Sequence, residues 1–404
     1  MDFDVVVIGG GVIGTSITYH LSKSGTGKIC LIERNQIGSG STSYAASLMT
    51  QVRSKSHLVP LVQQTYQDIY DLSNDYHLGL DFKVNGTLYV ISSPDTDSLV
   101  NLEEIAKRHG IPYSHPQSNI QEMVPWINKK MVGQSLFIES DGHLEATVLA
   151  DAYANASKSN GAKLLTDTEV ESIIVEKDMI AGVQIPGKIL SAPIVIDAAG
   201  VWSNLLSNPL GVNLPMSPVR STYWITAINP NLFPKDHPSV IVPEAKAYTR
   251  PESGGLVFGI RDSESPAINP KKIFPNLMEN KFFDKQSHWD ILINEGKELV
   301  KFFPQLYDMG IKHCMSNVCS YSVDGELIIG ESVCVKGFYA ATGCSGGGIA
   351  FSGGVGKIVN KMLHQRCEAI SAFDRFAIER LSIDPFNQEF LQRCSQTRST
   401  KRDG

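Results

Sequence analysis

Residues 5–34 read VVVIGGGVIGTSITYHLSKSGTGKICLIER. Val5 to Ile8 is short, apolar and β-branched, the pattern of a strand buried on both faces of a parallel sheet. Gly9, Gly11 and Gly14 follow at once in G-x-G-x-x-G spacing. The first glycine permits a tight turn and the second lets a pyrophosphate approach the backbone. The third lets the following helix sit close to the sheet. That helix, expected from about Val12 to Ser24, aims its N-terminal N–H groups and positive dipole end at the phosphates. Lys28 to Ile32 reads as the second strand. Glu33 ends it, near the ~20-residue separation at which an acid accepts hydrogen bonds from ribose hydroxyls. The same carboxylate repels a 2′-phosphate, which disfavours NADP. Such a unit grips the ADP half that FAD and NAD share, so the motif by itself leaves both open.

The remaining 370 residues or so bound the function further. A chain of 404 residues, 42% hydrophobic and 19% charged with a net charge of −6, has room for two domains with sizeable cores. No basic excess points to nucleic acid, and no apolar run is long enough to span a bilayer. Asp2 and Asp4 stand where a signal peptide would be basic, so a cytoplasmic location is expected. The seven cysteines (Cys30, Cys314, Cys319, Cys334, Cys344, Cys367 and Cys394) are scattered and form no C-x-x-C. That argues against a metal site and against a disulfide framework, in keeping with a reducing compartment. Residues 395–404, SQTRSTKRDG, are polar and are expected to be a disordered tail.

Further helix and strand patterns extend the opening unit. Residues 36–53, QIGSGSTSYAASLMTQVR, offer small and hydroxylated side chains that suit a loop lying against a flat ring system. APIVIDAAGVWSNLL gives a buried strand that ends near Gly200 and a helix start. GFYAATGCSGGGIAFSGGVGKIVNKML gives a strand, a glycine-dense turn at Gly346, Gly347 and Gly348, and a long helix whose N-terminus suits an anion or a carbonyl. Between these pieces, GTLYVISS, RSTYWITAI and AYTRPESGGLVFGI are aromatic and alternating, as antiparallel strands are. The expected fold class is α/β, a Rossmann-like nucleotide-binding domain with an inserted antiparallel-sheet substrate domain. The expected division assigns 1–80, 146–215 and 316–385 to the nucleotide domain, and 81–145 and 216–315 to the substrate domain.

The chain resembles the D-amino-acid oxidase-like FAD-dependent oxidoreductases, in the branch with glycine oxidase, sarcosine oxidase and dimethylglycine dehydrogenase. The likeness rests on the opening unit with LIER, GSGSTSYAAS, DGHLEATVLADAYANAS, TEVESI, VIDAAGVWSNLL, YTRPESGGLVFG, YSVDGELIIG and TGCSGGGIAFSGGVGK, in that order. It implies a nucleotide domain of the GR2 type, bound FAD, and oxidation of the C–N bond of a small amine or amino acid, secondary or N-methyl, by hydride transfer to flavin N5. It further implies that FAD is held by Gly9, Gly11, Val12, Ile13, Gly14, Glu33, Arg34, Ser41, Thr42, Ala45, Ala46, Ser47, Val170, Ala199, Gly200, Trp202, Gly346, Gly347, Gly348 and Ile349. The electron acceptor stays open among oxygen, a quinone and another flavoprotein, and a partner subunit is possible. The alternatives are a primary amino-acid oxidase of the glycine oxidase type and a non-catalytic flavoprotein that serves as a subunit or assembly factor.

Departures from the family pattern sharpen the expectations. Tyr44 replaces the histidine that links flavin in part of the family, so that bond cannot form. Cys319 stands two residues before Tyr321, where sarcosine oxidases carry a flavin-linking cysteine, but the spacing to Asp324 is shorter. FAD is therefore expected to be non-covalent. Glycine oxidases place a carboxylate-binding arginine at this position, and a thiol cannot replace its fork. Arg53, with Arg250 as second choice, is expected to hold the substrate carboxylate, and Tyr248 to position the substrate. Tyr223 and Trp224 are further candidates for an aromatic pocket. Val257 stands where sarcosine oxidases carry an oxygen-activating lysine, which favours a dehydrogenase over a fast oxidase. His57 and His143 have no triad context, and His143 reads as structural.

Overall fold

The strand predicted at Val5 to Ile8 is the centre of a six-stranded sheet in the computed structural model, which describes residues 1–92, 97–274, 277, 285–364 and 374–401. Val5–Ile8 pairs in parallel with Ile29–Ile32 on one side and Ile194–Asp197 on the other. Lys163–Leu165 extends the first side in parallel. Phe338–Thr342 extends the second in parallel, and Ile328–Glu331 closes it antiparallel. All four residues of Val5–Ile8 and of Ile29–Ile32 are buried, which is why they read as continuous apolar runs rather than alternating ones.

The helix Val12–Lys23 starts directly after Gly11. A Cβ on Gly14 would lie 1.9 Å from the Gly9 carbonyl oxygen, so this close approach of helix to strand admits no side chain there. Val12–Lys23 packs with Val59–Asn74, Ala146–Ser159 and Gly348–His364 over one face of the sheet. In the last of these, the glycines of FSGGVGK serve helix packing: a Cβ on Gly354 would meet the Leu61 backbone at 2.3 Å. The opposite face is covered by the antiparallel strands Ser172–Glu176, Met179–Ile185 and Lys188–Ser191.

A second, seven-stranded sheet runs in the order Ile311–Ser322, Met216–Thr226, Gly255–Ile260, Ala247–Glu252, Ser239–Val242, Thr87–Ile91, Gln134–Ile138. Every neighbouring pair is antiparallel except Ser239–Val242 with Thr87–Ile91, which is parallel. One face packs on the helix Lys285–Phe302 around Trp224, Phe258 and Phe302. The strand Ile311–Ser322 is continuous across the boundary expected at 315/316, because its whole length pairs with Met216–Thr226.

The end of the chain departs from the reading of a disordered tail. Gln388–Thr400 is a helix, started by the Asn387 side chain, which accepts from the Glu389 and Phe390 N–H groups. Phe390 and Cys394 pack on Val219 and Tyr321 of the second sheet, while Arg398 and Ser399 are buried. Burial of a few residues and ion pairing of another overcome the polar composition. Residues 402–404 of that segment, Cys367 with the rest of 365–373, and 278–284 lie outside the described residues.

Candidate functional site

A cavity of about 790 Å³ is lined by both sheets and by the C-terminal helix. At one end are the turn Gly9–Gly11 and the start of the first helix, Val12 and Ile13. Gly9 has φ of +106°, and a Cβ there would meet the Ala198 carbonyl at 2.5 Å. Gly11 differs: the nearest atom to a Cβ would be Thr42 Oγ1 at 3.3 Å, so hydrogen at this position keeps cavity space open. The Val12 N–H donates to that same Thr42 hydroxyl at 3.1 Å, which leaves the hydroxyl proton for an acceptor in the cavity. Glu33 is held by the N–H groups of Gly10 at 2.6 Å and Asn35 at 2.8 Å. The Arg34 guanidinium lies 3.9 Å over the Trp202 ring, a cation–π stack beside Val170. A hydrogen-only cradle, a helix N-terminus and a fixed carboxylate in sequence fit a dinucleotide.

Ser41, Thr42, Ala45, Ala46 and Ser47 form the middle of the wall, with Ala199 and Gly200. The short 3₁₀ turn Ser41–Tyr44 is anchored by the Ser41 hydroxyl, which donates to the Val318 carbonyl at 2.8 Å. Gly346, Gly347, Gly348 and Ile349 complete this stretch from the start of the helix Gly348–His364. Of the residues expected to hold the cofactor, Gly14 alone is absent from the lining. It acts from behind, through the helix–strand contact described above.

The other end is built on the second face of the seven-stranded sheet. Side chains alternate along strands, and the register sets Tyr223 and Tyr248 on either side of Gly259. A Cβ on Gly259 would lie 2.2 Å from Cζ of Tyr248, so the Tyr248 ring lies across the bare backbone of this glycine. Ser221, Arg261, Cys319 and Tyr321 line the cavity from the same face. Burial pushes the Tyr223 phenol up to about 12 and also raises Tyr248, so both are neutral donors near pH 7. Burial raises the Cys319 thiol too, and takes Cys344 to about 12. Trp224 belongs to the opposite face, stacked on Phe258 at 5.5 Å, because it is one residue out of phase with Tyr223.

Arg53 is 2% exposed, lines the cavity and lies with its guanidinium carbon 5.1 Å from the Phe351 ring centre. Behind it stands Asp141, whose carboxylate accepts from the Gln51 N–H at 2.9 Å. Burial raises Asp141 to about 7, against the opposing pull of these hydrogen bonds and of Arg53. Arg250 is not brought to the cavity lining. Its guanidinium bonds Glu252 at 2.6 Å and the carbonyls of Pro251 and Ala46, so it braces the loop that carries Ala46 against the sheet. Val257 is fully buried and likewise absent from the lining. Other elements bring cations to this cavity, among them Arg53, Arg261 and Arg398. His57 pairs with Glu326 at 2.8 Å, and burial lowers His143 to about 4; neither lines the cavity.

Sequence reading missed Arg261, Arg398 and Lys401, all of which line the cavity. Arg261 was detectable only through the pairing of Tyr223 with Gly259, which no local pattern reveals. Arg398 and Lys401 lay in the segment dismissed as a tail.

The family described as FAD dependent oxidoreductase (DAO) matches residues 4–362. Over 379 residues the chain is 27% identical to the mitochondrial sarcosine dehydrogenase of Mus musculus, an overlap covering 90% of this chain and 40% of that protein. It is 24% identical over 364 residues to the mitochondrial pyruvate dehydrogenase phosphatase regulatory subunit of Mus musculus, covering 88% and 40%. The chain thus spans about two fifths of the length of these curated relatives. In fold it is similar to the L-proline dehydrogenase from P. horikoshii, with a TM-score of 0.79, 24% identity, and coverage of 94% and 97%.

Proposed function

The chain belongs to the DAO family of FAD-dependent oxidoreductases, and from that premise we propose that it oxidises the C–N bond of a small carboxylated amine, secondary or N-methyl, to an imine. The observation that carries this reading is the meeting of buried Arg53 with Tyr223 and Tyr248 in one cavity with the dinucleotide cradle. FAD, when held by the residues named above, would supply the acceptor for the hydride and the two electrons it carries. Arg53 offers the substrate carboxylate a planar fork of donors. The tyrosines form an apolar wall with neutral hydroxyl tips, which excludes bulk water while the C–N bond is oxidised. Among the described residues, the acids of the lining are Glu33, Glu169 and Glu171, and Arg34 reaches Glu169 at 3.9 Å. At the tyrosine end the described lining includes cations and no acid, a surrounding that disfavours the protonated amine and favours the free base that must give up hydride. Water then hydrolyses the imine.

A non-covalent FAD is part of the same proposal. Tyr44 cannot form the histidyl link, and half-buried Cys319, its thiol pKa raised by desolvation, disfavours the thiolate that a thioether requires. The likeness to a regulatory subunit supports a second reading, in which the fold binds FAD without turnover.

Anaerobic mixing of the FAD-loaded protein with N-methylglycine, and with dimethylamine as its match without a carboxylate, tests the reading. Bleaching of the flavin by the first and not the second is the expected result. Arg53→Met should weaken N-methylglycine by one to two orders of magnitude, since each charge-assisted hydrogen bond contributes about 1.5–3 kcal/mol; Arg53→Lys should recover part of it. Silence of the flavin across a wider amine panel would favour the regulatory reading.

A further inference from the structure

Arg53 lies in the segment after the strand Leu48–Met49, which pairs antiparallel with Gly142–His143. Directly before that partner strand stands Asp141, which is wholly buried. Its backbone belongs to the seven-stranded sheet. The Asp141 N–H donates to the carbonyl of Ile138, the end of Gln134–Ile138, at 3.3 Å. The Asp141 carbonyl accepts at 2.9 Å from the N–H of Gly86, which precedes Thr87–Ile91. The side chain reaches the other way. Its Oδ1 accepts from the Gln51 N–H at 2.9 Å and lies 3.4 Å from the Gln51 side-chain amide, which also donates to Ser140 Oγ at 2.6 Å. Gln51 precedes Arg53 by two residues, at most about 7 Å of chain. Asp141 thus clamps the stretch leading to Arg53 onto the sheet that carries Tyr223 and Tyr248.

We propose that Asp141 is a positioning residue, which fixes the Arg53 guanidinium for the substrate carboxylate and shares that cation with it. This rests on the carboxylated-amine reading above and deepens it. Facing Asp141 are Arg53 and Gln51 from the loop, Thr87 from Thr87–Ile91, and Tyr66 from the helix Val59–Asn74, with Tyr89 near Tyr66. Burial holds the Tyr66 phenol well above 10, so among these groups the Arg53 guanidinium is the charge that meets Asp141. Burial pushes the Asp141 carboxyl up to about 7, and Arg53 pulls it the other way. A carboxylate arriving at Arg53 brings a second negative charge to the same guanidinium. Like charges in a buried site oppose each other's ionisation, so Asp141 takes up a proton from solvent as the ligand binds. Affinity for a carboxylate is then highest where Asp141 already holds its proton, below pH about 7, and falls as pH rises through that value.

The test uses the full-length, FAD-loaded protein and the unreactive probe (methylthio)acetate, with (methylthio)acetamide as its uncharged match. Each is titrated through the flavin absorbance at pH ~5.5 and pH ~8.5, a range in which the probe carboxylate stays ionised. His143, lowered to about 4 by burial, stays neutral in the same range. Wild type should bind the carboxylate at least roughly fivefold more weakly at the higher pH, and the amide equally at both. Asp141→Asn keeps an acceptor for the Gln51 N–H but cannot ionise, so the fall with pH should vanish. Asp141→Ala removes the clamp as well. It should weaken the carboxylate by about tenfold or more at either pH, and the amide by no more than about twofold, with FAD content as in wild type. Should the alanine variant not fold, the asparagine variant decides. Equal wild-type affinity for the carboxylate at both pH values would overturn the proposal, and so would a pH response that persists in Asp141→Asn. Weakening of both probes alike by Asp141→Ala, the mark of a purely structural residue, would overturn it too. If Arg53→Met leaves the carboxylate as tightly bound as wild type does, the carboxylated-amine reading falls, and the role of Asp141 with it.

Discussion

Gly259 carries no side chain because the Tyr248 ring occupies the place where its Cβ would be. Gly259→Ala should therefore displace the ring toward the cavity while leaving the FAD cradle intact. The expected outcome is full FAD content with reduced affinity for carboxylated amines, read from anaerobic flavin reduction; unchanged affinity would mean that Tyr248 does not shape the substrate end. Asp141 provides a second residue-level prediction. Its carboxyl is raised from the ordinary 3.8 to about 7 by burial, so the folded protein retains a proton that the unfolded chain has released. Stability from this group is complete below pH ~4 and is lost as pH rises towards 7, at a slope of up to about 1.4 kcal/mol per pH unit inside that window. Asp141→Asn should flatten this part of the curve of unfolding free energy against pH. A slope identical to wild type would show that Asp141 ionises normally.

Among the elements, the helix Gln388–Thr400 shows most clearly what the sequence conceals. The opening strand–helix–strand was legible because every signal in it is local: an apolar run, three glycines at fixed spacing, an acid at the end. The strands of the second sheet were legible as alternation, yet their neighbours were not, so Trp224 and Tyr223 were grouped together although they face opposite ways. Arg250 was misplaced for the same reason, since its bond to the Ala46 carbonyl depends on how a distant loop meets the sheet. The C-terminal helix was hidden because its docking rests on a distant carboxylate. Asp262 takes Arg398, Arg220 and the Ser265 hydroxyl, and these outweigh the burial that would otherwise raise its pKa. Asp262→Asn leaves two buried guanidinium groups without their anion, a change that costs about 3–5 kcal/mol. Denaturant unfolding should show that loss, and limited proteolysis should release the last helix first. A variant as stable as wild type would mean that apolar packing of Phe390 and Cys394 alone holds the helix.

On the scale of the whole molecule, the cavity proposed to bind FAD is assembled from segments far apart in sequence. Gly9 and Glu33 lie near the start, Val170 and Gly200 near the middle, and Gly346 and Lys401 near the end. The Ser16 hydroxyl, in the first helix, donates to the Ser352 carbonyl of the helix that follows the last glycine-dense turn. No contiguous piece therefore contains a complete site, and the two sheets must be oriented together before a substrate can be held.

The central position of Val5–Ile8, between Ile29–Ile32 and Ile194–Asp197, has a consequence for synthesis. A ribosome makes this strand before either neighbour, the second of them much later, while Phe338–Thr342 beyond that neighbour comes later still. The most apolar edge of the nascent chain thus waits through most of translation, and parallel pairing across such separations is slow. Chains arrested on the ribosome before residue 338 should fail to retain FAD and should recruit holdase chaperones, whereas chains released at full length should do neither. Retention of stoichiometric FAD by the arrested chain would show that the five strands of this sheet made before residue 338 suffice as a nucleotide trap.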